Sequence, residues 1–124
     1  MTFLDTSVII AFLAGDEKVV AFVKKLDRTE HLKTTTITEY ELLKHKNALN
    51  KHLAEEFLSE ITVCPFDSAS ARKAASVYER LKETGKMINE NDLFIIGISL
   101  ANDELLLTRD QKFASIDDVN IKIV

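Results

Sequence analysis

A chain of 124 residues, 46% hydrophobic and 29% charged, carries enough apolar material for a packed core, which excludes intrinsic disorder. Its formal net charge of −4 argues against holding nucleic acid by bulk electrostatics alone. The lone Cys64 excludes an internal disulfide, no secretory signal pattern opens the sequence, and no apolar run is long enough for a bilayer, so a soluble protein of the reducing cytoplasm is expected.

One Pro and three Gly lean the chain toward helices with short connections, folded as one domain over residues 1–124. Thr2-Phe3-Leu4 reads as a short buried strand ending at Asp5, followed by an apolar helix from Val8 to Leu13 that Gly15 stops. Between Asp16 and Asp27 the residues Val19, Val20, Phe22, Val23 and Leu26 recur at helical spacing. The β-branched run from Lys33 to Ile37 suits a second strand, after which Thr38 can cap a helix through Glu41, Leu42 and Leu43. Leu49, Leu53 and Phe57 mark another amphipathic helix, and Ile61 to Cys64 a third strand closed by Pro65.

Asp67 is placed to cap a long helix with an apolar face of Ala71, Ala74, Ala75, Tyr78 and Leu81, ending at Gly85. Leu93 to Ile98 is apolar all round, which predicts a largely buried helix with Asn91 and Asp92 at its start. Glu104 to Leu107 is a fourth strand, followed by Thr108-Arg109-Asp110, and the alternation from Val119 to Val124 predicts an edge strand. Strands alternating with helices imply an α/β fold with a parallel sheet covered on both faces. Ligands of such sheets bind beyond the carboxyl ends of the strands, where Asp5 and Asp110 fall, with Glu41 and Asp92 on helices that start at the same edge.

Four acids in separate segments converging on one edge require compensation, because two carboxylates 4 Å apart repel by about 4 kcal/mol at an effective dielectric of 20. Hard oxygen ligands with no accompanying Cys or His pair select magnesium or manganese, and a water held by such an ion can attack a phosphodiester. The expectation is one negatively charged pocket whose oxygens stand close enough to share an ion.

The segments Phe3-Leu4-Asp5-Thr6-Ser7, Ile37 to Leu43, Asn91 to Ile96 and Leu107 to Phe113 resemble, in that order, the motifs of the PIN-domain ribonucleases. In order and length the chain is most similar to the VapC toxins of prokaryotic toxin–antitoxin pairs. The resemblance implies a three-layer α/β/α sandwich around a parallel sheet of four to five strands. It implies Asp5 as central metal ligand, Glu41 and Asp92 as further ligands, Asp110 as fourth acid, and Thr6, Ser7 and Thr108 as supporting residues. It further implies Mg2+ or Mn2+ as cofactor, RNA as substrate, a homodimer, and a cognate antitoxin whose tail enters the active-site groove. Two departures stand out: Lys44-His45-Lys46 where the family often has Gly, and Ile96-Gly97 where it often has Ala-Ala. Glu39 is a second candidate beside Glu41, and the Tyr-Glu-Leu-Leu context favours Glu41.

Each acid also has a plainer reading: Asp5, Asp92 and Asp110 as helix caps, Glu41 as a solvated helix residue. His45 and the basic runs Lys24-Lys25 and Lys44 to Lys51 read as solvated surface, with the second run able to meet RNA. A receiver-type phosphoacceptor would want paired acids after the first strand, and an Asp-x-Asp phosphatase a second Asp where Ser7 stands. An RNA-processing nuclease and a family member that binds RNA or protein without cutting remain the alternatives to a toxin.

Overall fold

A computed structural model of the chain describes residues 1–44, 47–116 and 119–124. His45 and Lys46 of the basic run lie outside the described residues. In chain order the elements are β1 (Thr2–Leu4), α1 (Thr6–Leu13), α2 (Glu17–Asp27), β2 (Leu32–Thr35), α3 (Thr36–Leu43) and α4 (Ala48–Ser59). They continue with β3 (Thr62–Cys64), α5 (Ser68–Glu83), α6 (Glu90–Ala101), β4 (Leu105–Thr108), a short 3-10 helix (Gln111–Ser115) and β5 (Ile121–Ile123).

Short polar side chains start the helices. Asp5, Asp16, Thr35, Asn47, Asp67 and Asn89 each accept a hydrogen bond from a backbone N–H of the first turn that has no partner inside the helix. Asp67 thus acts as expected, but Thr35 replaces Thr38 as the cap of α3 and Asn89 caps α6 ahead of Asn91 and Asp92. Thr35 has extended backbone angles that put its Oγ1 3.1 Å from the N–H of Thr38, so the β-branched run is divided between a strand and a helix. Gly15 and Gly85 follow the ends of α1 and α5 with φ of +82° and +73°, a conformation that carries little penalty only without a Cβ.

All five strands are parallel, in the order β3-β2-β1-β4-β5. Alternation along the central strands divides the core between two faces. Phe3 and Leu106 point to a cluster with Val77, Leu81, Ile95, Ile96 and Phe113, whereas Leu4 and Leu107 join Val8, Ile9, Val19, Leu42 and Leu58. Helices α5 and α6 cover one face and α1 to α4 the other, which gives the three-layer α/β/α sandwich.

Helix α5 is rotated relative to the face read from the sequence. Ser70, Ala74, Val77 and Leu81 are buried, while Ala71, Ala75 and Tyr78 are exposed. The cause lies on α6: a Cβ on Gly97 would stand 2.5 Å from the Ser70 carbonyl oxygen and 2.9 Å from the Ala74 Cβ, so the two helices approach to backbone distance at that glycine. On α4 the core is reached by Ala54 and Leu58, and Leu49 is exposed. Among the described residues no helix is long and apolar enough to cross a membrane.

Candidate active site

The strand order reverses between β1 and β4: β2 and β3 extend the sheet to one side of β1, β4 and β5 to the other. Parallel strands diverging in this way leave a crevice at their carboxyl ends, and Asp5 follows β1 there while Asp110 follows β4.

Asp5 is only 4% exposed, and its Oδ1 accepts hydrogen bonds from the Ser7 hydroxyl at 2.6 Å and the Val8 N–H at 3.0 Å. Burial pushes its carboxyl above the usual carboxylate range, opposed by hydrogen bonds from Ser7, Thr108 and backbone N–H groups. The Ser7 Oγ also accepts the Arg109 N–H at 3.0 Å, and the Thr108 Oγ1 accepts the Asp110 N–H at 3.0 Å. The loops after β1 and β4 are thereby tied together through two hydroxyls that both serve Asp5.

Glu41 lies on α3, and its Oε1 accepts from the Thr6 hydroxyl at 2.6 Å. The Thr38 hydroxyl stands 3.1 Å from that of Thr6 and is fully buried, so a residue expected to cap a helix lines the site instead. The available signal was the spacing, since Thr38 stands three residues before Glu41 and so shares its face of α3.

Asp92, in the first turn of α6, is half-buried and its carboxyl is raised to about 6. Burial is the largest cause; the charges of Asp110, Glu41 and Asp5 raise it further, and Lys112 opposes them. The charges of three acids from three other segments therefore bear on Asp92. Glu41, rather than Glu39, is the α3 acid whose charge is felt at Asp92.

The stricter expectation, that the oxygens already stand within reach of one ion, is not met. Among the described residues no group of three Asp, Glu, His or Cys side chains is gathered closely enough to hold a metal. Like charges repel, and each carboxylate turns to a local donor: Asp5 to Ser7 and Val8, Glu41 to Thr6, and Asp110 to the Lys112 N–H at 2.9 Å. The donor chemistry nonetheless suits a hard cation, and magnesium needs only one or two carboxylates because it keeps much of its water.

Fold and site together define a three-layer α/β/α domain with an acidic crevice at the switch point of a parallel sheet. The model of the PIN domain matches residues 2–119, and the chain belongs to that family, one of nucleases that generally use divalent metal ions. No curated protein matches the chain in sequence. Among solved structures, VapBC2 from Rickettsia felis bound to a DNA fragment from their promoter is similar with a TM-score of 0.89, at 18% identity over 99% of this chain and 98% of that one. DNA-bound VapBC from Salmonella typhimurium gives 0.88, at 20% identity over 98% and 96%. VapBC-5 from Mycobacterium tuberculosis, a member of the VapBC family of toxin–antitoxin systems, gives 0.73, at 26% identity over 99% and 96%.

Proposed function

We propose that this chain is a divalent-cation-dependent ribonuclease and the toxin of a toxin–antitoxin pair, active as a homodimer in the cytoplasm and restrained by a cognate antitoxin. The observation that carries the nuclease reading is a PIN-family fold with Asp5 and Asp110 just after the two strands flanking the switch point, and the charges of Asp110, Glu41 and Asp5 that push the Asp92 carboxyl up support it. Carboxylates whose charges bear on one another need a proton or a cation in compensation, and a divalent ion is the compensation that a nuclease fold would use. The toxin reading is supported by the solved neighbours, which include toxin–antitoxin complexes that the chain matches over nearly its whole length.

In this reading Asp5, Glu41, Asp92 and Asp110 hold Mg2+ or Mn2+, directly or through water. Such an ion supplies charge stabilisation at the phosphate and lowers the pKa of a bound water. Ser7 and Thr108 fix the Asp5 carboxylate, and Thr6 fixes Glu41, so the donors are aimed before RNA arrives. Without the cation the same carboxylates repel phosphate, which makes RNA binding dependent on metal.

The test is cleavage of single-stranded RNA by the purified chain with manganese, abolished by chelation and by Asp5→Asn. A chain inert toward RNA with either ion, or an Asp5→Asn variant that cuts as well as its parent, would refute the ribonuclease. The toxin role is tested by co-expression with the product of an adjacent small gene, which should co-purify and suppress cleavage.

A further inference from the structure

An acidic crevice explains where a phosphodiester could be cut but not what holds a polyanion beside it. Next to the acids lies a cavity of about 410 Å3 lined by Lys18, Arg109 and Lys122 together with Asp16 and Phe22. Counting side chains, three cations stand against one acid in this lining, in a chain of net charge −4. Asp16 is already committed: its Oδ1 caps α2 through the N–H groups of Lys18 and Val19, and its Oδ2 stands 3.4 Å from Nη1 of Arg109. Among the described residues neither Lys18 nor Lys122 has an ion-pair partner, and both are exposed.

The cleft is registered to the acids through short covalent and hydrogen-bonded links. Arg109 sits between Thr108 and Asp110, and its N–H bonds the same Ser7 hydroxyl that holds Asp5. Thr108 pairs with Ile123 across β4 and β5, and the Val124 N–H donates to the Thr108 carbonyl at 2.8 Å, so Lys122 lies one strand over from the site. The Lys122 Nζ stands 5.1 Å from the ring centroid of Phe22, a cation–π contact that props the ammonium on the α2 side.

We infer that this cleft is a phosphate-binding track for the RNA strand flanking the scissile bond, an inference that rests on the ribonuclease reading. Lys18 and Lys122 contact backbone phosphates, Arg109 supplies a third cation next to Asp110, and Phe22 is a positioning residue for Lys122. A positive groove that follows the backbone is how single strands are held without sequence readout. Here it offsets the repulsion between the carboxylates and the substrate. Phosphate contacts place the strand and carry no base information, so the track should act alike on every RNA sequence.

The experiment is steady-state cleavage of a fluorescent single-stranded RNA with manganese, comparing the parent with the double variant Lys18→Gln, Lys122→Gln. Both side chains are on the surface, so the variant keeps its fold. KM should rise about tenfold with kcat within about twofold. The dependence of log kcat/KM on log salt should become shallower by about 1.4, or about 0.7 for each phosphate that is no longer neutralised. The double Lys→Arg variant should restore both quantities. A parent that cuts RNA and a glutamine variant with the same KM and salt slope overturn the track alone; a parent that cuts no RNA overturns the ribonuclease reading and the track together. An unchanged KM with weakened binding of a fluorescent oligoglutamate peptide would also overturn the track, assigning the cleft to an acidic protein segment.

Discussion

The Thr6 hydroxyl donates to Oε1 of Glu41 across 2.6 Å, joining the first residue of α1 to an acid on α3. The bond runs between helices that follow neighbouring strands, so it sets the aim of Glu41 by the packing of the sheet rather than by α3 itself. A hydrogen bond to a charged group contributes about 1.5–3 kcal/mol. Thr6→Val should therefore lower kcat/KM for RNA about tenfold or more, while Thr6→Ser retains most of it. Equal rates for Val and Ser would show that Glu41 needs no such hold.

Asp92 makes the metal-free protein pH-sensitive in a direction opposite to that of a salt-bridged acid. Its folded value of about 6 lies above the ordinary 3.8, so its contribution to stability is fully present below about 3.8 and is lost as pH rises through about 6. In chelator, Asp92→Asn should gain stability relative to the parent between pH 4 and 7 and hold that gain above. Manganese at pH 7.5 should raise Tm more in the parent than in the variant. A stability difference between the two that does not change with pH would contradict the electrostatic coupling.

Gly97 permits the contact that orients α5. In Gly97→Ala the new methyl would meet the Ser70 carbonyl and the Ala74 Cβ at distances that real side chains do not tolerate, and one partner is backbone. The better helix propensity of Ala recovers only about 1 kcal/mol, so a net loss of about 2 kcal/mol is expected from overpacking. Urea unfolding measures it, with Ala71→Ser on the exposed face of α5 as a near-neutral control. A stabilised Gly97→Ala would mean that α5 and α6 slide apart without cost.

Lys33 and Glu104 form a largely buried ion pair at 2.9 Å, with side chains 13% and 11% exposed, away from the acids at the carboxyl ends of the strands. The Lys33 Nζ also stands 5.9 Å from the Phe3 ring centroid, and Oε2 of Glu104 has no partner among the described residues. Removing one member leaves the other charge uncompensated, so Lys33→Met should cost about 3 kcal/mol. The double variant with Glu104→Met should recover most of that loss in denaturant titration, with kcat on RNA unchanged in both. A double variant as unstable as the single one would show that Lys33 acts through its contact with Phe3.

Capping and strand-end chemistry made much of this legible in advance. Asp5 and Asp110 follow apolar strands, whereas the preference for Glu41 over Glu39 came from the family motif alone. The buried face of α5 was misread, because Ala71, Ala75 and Tyr78 satisfy helical periodicity as well as Ser70 and Val77 do. Ser70 looks polar in a string of letters, yet it is fully buried against the glycine of another helix. The contact of Thr38 with Thr6 and the cleft of Lys18, Arg109 and Lys122 are not legible in the sequence for a related reason: the partners come from distant segments.

What the sequence by itself determined was which segments form helices, which strands are apolar, and that Asp5 and Asp110 follow strand ends. Those features depend on hydrogen bonds and alternation within a few residues of chain. Only the tertiary structure decided the strand order that opens a crevice between β1 and β4, the roll of α5, and which charges act on Asp92. Coulomb interaction and close packing fall off with distance in space, and separation along the chain carries almost no information about that distance.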